Sequence, residues 1–490
     1  MVIEVRLLRF LCLIILAGAA LADVSVEKKR LHKCYGLFVR KPIPENHILW
    51  QAVAQGSMSG TTACMQLIDK AVFDDSGMML NSTDEEAKRV LRSFSDMSLT
   101  FFVNNNISAL FSSDVNDNTS DVIDSMGAAH YFTRAIFHPN ADFSDVVKLD
   151  HSLLAKRSGT AERQYSIIPK KISHDKDYGN YLMSFWQGFF PVDVNNPVPP
   201  KNFFPLLVET GELMGLIKDE SPVIVQTGDH SNGAIFNATG KNLKRHFGGG
   251  ALGSQAYLLA NIDSSHYLTD GAIEIHRTLG KNILEDFLCR SAPYVRSGDV
   301  IGEVFPDSSI EFRKGLSCMG CHVGQDNIAA VTRNLIIIGT NNLWRVNRRG
   351  IRFVTDPVTP KLPSLPLPVL TKDPTFYKQA PSGKLFYRDY KGDLINTSVT
   401  NLASLGEAMA QTDDLYICTV KKYYKALTGL EVSLSDPGNI NSLPLTAEHQ
   451  AQHQKVIQLG LKLKETQKIK DILRDIISSN EFVFPGSEGN

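Results

Sequence analysis

The sequence predicts a mainly α-helical, multi-domain fold with a few short strands, and three observations lead to this class. The chain has 490 residues, 43% hydrophobic and 21% charged, a composition that can bury a core and excludes a disordered protein. At roughly 150 residues per domain, the length corresponds to about three domains. Apolar residues recur at helical spacing over long stretches, and two proline clusters interrupt them.

Helical patterns begin at Thr61–Phe73 and continue after Thr83–Glu86, which matches a capping box with a hydroxyl at the N-cap and a carboxylate three residues later. Further predicted helices are Asp117–Phe137, Phe143–Lys156, Gly271–Cys289, Leu402–Leu427 and Glu448–Ser478. The predicted strands are few and short: Leu335–Ile338, Ile351–Val354 and Lys384–Tyr390.

The proline clusters, Pro191–Pro205 and Pro357–Pro374, predict extended connectors. Proline lacks a backbone donor and disfavours helix in the residue before it, so neither cluster suits a helix. The predicted regions are an N-terminal helical domain (23–190), a central helical domain (206–355), a Pro-rich linker (356–384) and a C-terminal helical domain (385–490).

The N-terminus resembles a secretory signal peptide over residues 1–22. Arg6 and Arg9 precede an apolar run, Phe10–Ala20, that is too short to span a bilayer, and Ala20-Leu21-Ala22 fits a small-x-small cleavage site. An uncleaved N-terminal anchor is the alternative. We expect a periplasmic or secreted protein with no membrane span after signal cleavage.

Charge is balanced along the chain. Lys and Arg total 51 and Asp and Glu total 52, giving a formal net charge of -1. Binding to nucleic acid phosphates needs a basic excess, so we expect no nucleic acid partner.

Export favours disulfides between the cysteines that follow the signal. Cys34 and Cys64 would close a loop of 30 residues, a bridge that stabilises by ~3–4 kcal/mol in the chain-entropy model. Cys289 and Cys418 then remain as a second pair. Four cysteines allow three connectivities, so this pairing is a preference, and four buried free thiols are the alternative.

The most informative motif is Cys318-Met319-Gly320-Cys321-His322, which matches the attachment signature of c-type haem. On a helix, positions i, i+3 and i+4 share one face, so both thiols could form thioethers with one porphyrin while His322 binds the iron as proximal ligand. Gly320 would leave room for the macrocycle. With this composition, about 0.003 matches are expected by chance. The sequence therefore predicts one covalent haem c.

Two other interpretations of the motif remain open. The cysteines could be a disulfide or a thiol-exchange pair, although no strand–helix pattern typical of thioredoxin-like sites surrounds them. They could also be half of a zinc site, which would need two more ligands, yet the sequence has no second C-x-x-C.

The second axial ligand is harder to predict. Met409, the only methionine after the motif, is a candidate distal ligand, although a methionine at helical spacing is more often part of the core. His449 and His453 could bind a metal together, but a solvated helix face is favoured. Asp326, one turn after His322, could support the haem ligand from outside, but a surface carboxylate is favoured.

The chain resembles planctomycete-type cytochrome c proteins, large exported haem proteins with uncharacterised helical flanking domains. The resemblance rests on the motif and on three flanking segments: Gly249–Asn261 with Asp286–Arg290, Leu405–Cys418, and Ile476–Phe482. It implies that Cys318, Cys321 and His322 are haem residues, suggests that Cys289 and Cys418 are paired, and brings no established substrate. Asp326-Asn327 departs from the Asp-Pro expected after the motif.

The function that follows is that of an exported monohaem c-type cytochrome, with electron transfer to a redox partner protein that the sequence does not identify. Whether the chain is an enzyme stays open. One alternative is a peroxidase-like haem oxidoreductase with an open distal site. Another is a non-haem envelope or interaction protein stabilised by disulfides.

Overall fold

The computed structural model describes the chain in several stretches. The longer stretches are residues 24–103, 126–158, 247–261, 272–307, 311–332, 381–434 and 445–485, and the strand segments between them are 164–165, 205–206, 212–218, 224–226, 241–243, 335–339 and 349–353. The predicted signal peptide lies outside the described residues, and so do both proline clusters except Pro205.

Helices dominate the described residues, as predicted. Those of the first half are α1 (24–38), α2 (Ile48–Ala54), α3 (Gly60–Asp69), α4 (Glu85–Leu99), α5 (Gly127–Phe137), α6 (Asp145–Lys148) and α7 (Gln255–Ala260). Those of the second half are α8 (Ala272–Leu288), α9 (Leu316–Val331), α10 (Leu402–Gln411), α11 (Asp413–Thr428), α12 (Ala447–Thr466), α13 (Ile469–Ser478) and α14 (Asn480–Val483). Three 3₁₀ turns accompany them: Gly250–Gly253, Ser297–Glu303 and Glu311–Lys314.

The start of α4 differs from the predicted capping box. Asp84, not Thr83, is the N-cap, and its carboxylate accepts from the backbone N–H groups of Glu86 and Ala87. A carboxylate at this position satisfies free N–H groups and also interacts favourably with the positive end of the helix dipole. The helix is therefore present where predicted, with its cap one residue later.

Two of the predicted long helices are interrupted. The C-terminal pattern over Leu402–Leu427 divides at Thr412, whose backbone is extended, and the later pattern divides where Gln467 adopts a left-handed conformation with φ +58°. The Gln467 side chain donates to the hydroxyl of Tyr416, which holds this corner in place. Periodicity alone does not register such breaks, because the apolar faces continue on both sides of them.

The prediction of one helix over Phe143–Lys156 is wrong beyond its first turns. The short α6 is followed by strand β1 (Leu153–Arg157), which pairs antiparallel with β4 (Leu213–Lys218). The partner strand lies some 60 residues away, so this pairing is non-local and overrides the local helical pattern.

The described strands form five two-stranded antiparallel sheets. Besides β1–β4, they are β2 (Gln164–Tyr165) with β3 (Pro205–Leu206), β5 (Ile224–Gln226) with β6 (Lys241–Leu243), β7 (Leu335–Gly339) with β8 (Arg349–Phe353), and β9 (Gly383–Arg388) with β10 (Leu394–Val399). The three predicted strands correspond to β7, β8 and β9, whereas the others were not predicted.

Residues from all three predicted regions share one hydrophobic cluster. Phe101 packs edge-on against Tyr423 of α11 with ring centroids 4.7 Å apart, and Phe102 contacts Phe287 of α8 at 5.8 Å. Aromatic pairs of this geometry add to the stabilisation from area burial. The predicted domain boundaries themselves stay a prediction.

Two cysteine pairs lie at disulfide distance, and they are the two pairs preferred from the sequence. Cys34 of α1 faces Cys64 of α3 with Cα atoms 5.9 Å apart, and Cys289, after α8, faces Cys418 of α11 at 5.3 Å. Both separations lie within the range of natural disulfides.

No helix among the described residues has the length and apolar character needed to cross a membrane.

Candidate functional site

The C-x-x-C-H motif lies in the first two turns of α9 (Leu316–Val331), which we call the motif helix. Cys318 is exposed, Cys321 is half-buried, and both are free thiols. Because positions i, i+3 and i+4 of a helix share one face, Cys318, Cys321 and His322 lie together on the more accessible side of this helix. The neighbouring Met319 and Gly320 are buried on the other side.

The buried side of the motif helix is fixed by close backbone packing. A Cβ atom at Gly280 of α8 would lie only 2.4 Å from the carbonyl oxygen of Gln325, and one at Gly324 would lie 2.8 Å from the carbonyl oxygen of Phe386 in β9. Such distances show that α8 and β9 approach the helix more closely than any larger residue would permit. The accessible face is therefore presented by a firmly packed element.

Gly320 contacts the loop that precedes the 3₁₀ turn Ser297–Glu303. Its carbonyl oxygen accepts a hydrogen bond from the backbone N–H of Tyr294 at 3.0 Å, and a Cβ atom here would lie 3.4 Å from the carbonyl oxygen of Val295. The residue thus contacts the loop before the 3₁₀ turn Ser297–Glu303, on the side away from Cys318. A Cβ atom at this distance is an ordinary contact, so the loop alone does not require glycine here, and the expected role of Gly320 in leaving room for the macrocycle stays a prediction.

The imidazole of His322 is held by two neighbours. Its Nδ1 lies 3.2 Å from the side-chain nitrogen of Gln325, one turn later on the same helix, and Phe312 stacks on its ring with centroids 4.3 Å apart. The lone pair of Nε2 lies in the ring plane, so stacking on the face leaves this nitrogen able to bind a metal. The side-chain amide of Gln325 can turn either its nitrogen or its oxygen toward Nδ1. With the oxygen there, Nδ1 carries the proton and donates it in a hydrogen bond, which leaves Nε2 free to bind a metal.

Asp326 is not the surface carboxylate that we expected. It forms an ion pair with Arg277 of α8, and the two side chains are only 15% and 12% exposed. The Arg277 guanidinium also lies over the Phe312 ring, 4.7 Å from its centroid. Arg277, Phe312 and His322 therefore form a layered group.

Burial lowers the pKa of His322, and the nearby Arg277 lowers this pKa further, while Asp326 acts in the opposite direction. Neutral imidazole is the form that binds metals. The surroundings therefore favour the ligating form of His322 at neutral pH.

Large apolar side chains are exposed around the motif. Ile301 is 71% exposed, Phe305 53% and Leu316 42%. Ile301 belongs to the 3₁₀ turn packed on the motif helix, Phe305 follows that turn, and Leu316 begins the helix itself. Exposed large apolar side chains are a surface that another apolar group can cover.

A buried hydroxyl without a partner lies near Cys321. Tyr294 is 3% exposed, and its hydroxyl oxygen has no hydrogen-bond partner among the described residues. Burial raises the pKa of Tyr294, with smaller contributions from Glu285 and Cys321. Buried polar atoms without partners are uncommon in folded proteins and often mark the place of an additional group.

These observations fit a covalent haem on the accessible face of the motif helix. The two thiols are free, the imidazole can ligate through Nε2, exposed apolar side chains lie on the motif helix and on the turn packed beside it, and a buried hydroxyl near Cys321 lacks a partner among the described residues. Gln325 could have been found from the sequence, because it lies three residues after His322. Phe312, Arg277 and Tyr294 could not, since only the tertiary fold brings them to the motif.

The other candidate ligands, Met409, His449 and His453, have contacts with other parts of the fold. Met409 is fully buried in the hydrophobic core, on α10, whose main packing partners are α6 and the 3₁₀ turn Gly250–Gly253. His449 is exposed, and His453 Nδ1 lies 2.8 Å from the carbonyl oxygen of Ser433. The assignment of Met409 as a distal ligand stays a prediction.

Within the described ranges, no group of three or more His, Cys, Asp or Glu side chains is arranged to hold a bare metal ion.

Comparison with protein-family models, with curated proteins and with solved structures found no match for this chain. The resemblance to planctomycete-type cytochrome c proteins therefore stays a prediction.

Proposed function

We propose that the chain is an exported monohaem c-type cytochrome that transfers electrons through a covalently attached haem. The observation that carries this proposal is the accessible helical face on which two free thiols and an imidazole lie together, in a chain whose four other described cysteines are paired. The two disulfides also support export to a periplasmic or extracellular location, where thiols are oxidised.

Each residue of the site has a defined task under this proposal. Cys318 and Cys321 would hold the haem through thioether bonds, and His322 would bind its iron as the proximal ligand. The bound haem supplies a one-electron couple at its iron. Gln325 would orient the imidazole from the far side of the ring, as outer partners commonly do for metal-binding histidines.

The exposed apolar side chains favour haem over a simple dithiol. A dithiol site needs access to its sulfur atoms, but it gives no reason for three large apolar residues to stay exposed around it. A flat apolar macrocycle lying on the motif helix would cover apolar surface beside the motif and exclude water from one side of the site. Among the described residues, every strand pair is antiparallel, whereas thioredoxin-like sites typically lie in a parallel strand–helix setting.

The test is expression of the full chain in bacterial cells that possess a c-type haem attachment system. After denaturing electrophoresis, we expect a haem-peroxidase stain at the mass of the protein, since thioether bonds survive denaturation. The double variant Cys318→Ser/Cys321→Ser should lose the stain completely. Ser317→Ala, an exposed residue beside Cys318, is the matched control and should keep it.

A colourless band from cells that mature a control cytochrome would contradict the proposal. Where haem is attached, the absorption spectrum separates the carrier from the peroxidase-like alternative. Six-coordinate low-spin iron supports electron transfer, and high-spin iron that binds cyanide rapidly supports the enzyme. His322→Ala should keep the covalent stain but change the spectrum, because only the axial ligand is removed.

A further inference from the structure

The two disulfides have different surroundings. Cys34 and Cys64 are both fully buried in the hydrophobic core. Cys289 is half-buried, and it lines a cavity of about 670 Å³ between the end of α4, the end of α8 and α11. A reagent that enters this cavity therefore meets the Cys289–Cys418 bridge, whereas the Cys34–Cys64 bridge is shielded by packed side chains.

The backbone of Cys289 is in the left-handed region, with φ +53°. A residue with a side chain adopts this conformation much less readily than glycine does. Cys289 directly follows α8, and a left-handed residue at this position commonly ends a helix.

The buried partner, Cys418, lies beside the ammonium group of a half-buried lysine, Lys422. Lys422, four residues later on α11, donates hydrogen bonds to the carbonyl oxygens of Phe101 and Asp286. The sulfur of Cys418 lies 3.8 Å from that same carbonyl oxygen of Asp286. One oxygen thus brings the Lys422 ammonium and the Cys418 sulfur into the same small volume.

Further charges face this end of the cavity. Arg290 and Lys421 line it as cations, and both Lys421 and Lys425 pair with Glu431. Arg290 is 6% exposed; its Nη2 pairs with Asp414, while its Nε has no hydrogen-bond partner among the described residues. The acidic groups lining the cavity are Glu285, Asp286 and Glu431. Cations close to sulfur lower the free energy of a thiolate, which is what thiol exchange requires of a leaving group.

We propose that Cys289–Cys418 is a thiol–disulfide exchange site that accepts a dithiol reductant through this cavity. One thiolate of the reductant attacks the Cys289 sulfur, forming a mixed disulfide as the Cys289–Cys418 bond breaks. Cys418 leaves as a thiolate beside Lys422. The second thiol of the reductant loses its proton to solvent and then attacks the first sulfur of the reductant, which is bound to Cys289 in the mixed disulfide. Cys289 leaves as a thiolate, so the protein bond is reduced and the dithiol is oxidised by the same two electrons.

The test uses the native full-length protein, with the Cys34–Cys64 bridge as an internal reference. Free thiols are first blocked with a light alkylating reagent, the protein is treated with dithiothreitol, and newly released thiols are labelled with a heavy reagent. Mass spectrometry then gives the reduction rate of each bridge. We expect Cys289–Cys418 to be reduced at least tenfold faster than Cys34–Cys64. Equal rates, a faster Cys34–Cys64 bridge or no reduction of either would overturn the proposal.

A charge variant tests the role assigned to the ammonium. Lys422→Met should slow reduction of Cys289–Cys418 at least fivefold, and Lys422→Arg should keep most of the rate because it keeps a cation. Lys462→Met, which removes an exposed lysine of α12, is the control and should leave the rate unchanged. An unchanged rate in folded Lys422→Met protein would reject the leaving-group role. Should that variant not fold, the ratio of the two bridges in the unmodified protein still decides the proposal.

Discussion

Asp286 shows how strongly the environment of one residue can alter its chemistry. Its carboxylate accepts from the backbone N–H of Val103 at 2.8 Å and from the hydroxyl of Tyr257 at 3.0 Å. Burial nevertheless raises the pKa of Asp286 from 3.8 to about 6, against the opposing effects of Lys422 and these hydrogen bonds. Burial likewise lowers the pKa of Lys422 to about 8. The fold therefore tolerates two buried charges at neutral pH at a cost in stability.

The raised pKa of Asp286 predicts a pH-dependent stability. The folded state binds a proton at Asp286 more tightly than the unfolded state, so the contribution of this residue to stability falls as pH rises from about 4 to about 6. Asp286→Asn, which does not titrate, should gain about 2 kcal/mol relative to the unchanged protein between pH 4.5 and 6.5. Urea unfolding of both proteins across this range measures the difference.

Asp299 provides the control for this experiment. Hydrogen bonds from Arg388 lower the pKa of Asp299. The stability that this residue contributes is therefore present above pH 3.8, its pKa in the unfolded chain, and is lost only as the pH falls below that value. The stability difference for Asp299→Asn should therefore stay nearly constant from pH 4.5 to 6.5. A flat profile for Asp286→Asn as well would show that Asp286 is not held in a desolvated site.

The residues around the motif were predictable only in part. Cys318, Cys321 and His322 follow from a pattern of five consecutive positions, and Gln325 follows from helical geometry. Asp326 was misjudged because its partner, Arg277, lies 49 residues earlier in the chain. An ion pair of this kind depends on how α8 and the motif helix pack, so the sequence near Asp326 does not predict it.

At the scale of elements, the contact between α8 and the motif helix determines how the candidate site is presented. The two helices approach so closely at Gly280 that a Cβ atom there would meet the backbone of Gln325 at 2.4 Å. This neighbour is backbone and not a flexible side chain, so the conflict can be relieved only if the helices separate. The position of the motif thus depends on one glycine of another helix.

Gly280→Ala tests this contact. Alanine favours an isolated helix over glycine by about 1 kcal/mol, but we expect the close approach to outweigh that gain and to destabilise the protein by about 1–3 kcal/mol. Gly298→Ala is the matched control, since a Cβ atom at Gly298 would have no neighbour within 4 Å. Urea unfolding of the two variants should rank Gly280→Ala as clearly less stable, and the reverse order would contradict the packing described here.

Helices were easier to predict than their ends. The predicted helix Gly271–Cys289 is confirmed as Ala272–Leu288, because its apolar residues repeat regularly on one face. By contrast, the break at Gln467 depends on a left-handed backbone and a contact with Tyr416 from another helix. Hydrophobic periodicity reports which face is buried, and it does not report where the chain turns.

At the scale of the whole molecule, the disulfides link elements that the sequence separates. The Cys289–Cys418 bridge joins the end of α8 to α11 across 129 residues, and the Cys34–Cys64 bridge joins α1 to α3 across 30. A cross-link stabilises a fold mainly by reducing the conformational entropy of the unfolded chain, in a model-dependent amount that grows slowly with loop length. Both bridges therefore contribute to stability, whatever further reactivity Cys289–Cys418 has.

Removing the fully buried bridge has a calculable consequence. Cys34→Ala/Cys64→Ala should lower the free energy of unfolding by about 4 kcal/mol in the chain-entropy model for a loop of 30 residues. Urea unfolding of haem-free protein is the measurement. Cys318→Ala/Cys321→Ala replaces the same residue types without breaking a bridge, and it should change stability by less than about 1 kcal/mol. Equal effects of the two double variants would mean that Cys34 and Cys64 are not bridged.

The sequence by itself determined the mainly helical class, the motif with its three chemically distinctive residues, and the preferred cysteine pairs. These are properties of composition, local periodicity and spacing. Only the tertiary structure decided that β1 forms where a helix was expected, that Arg277, Phe312 and Tyr294 surround the motif, and that one disulfide faces a charged cavity while the other is buried. Each of these depends on contacts between residues far apart in the chain, whose energies no local pattern encodes.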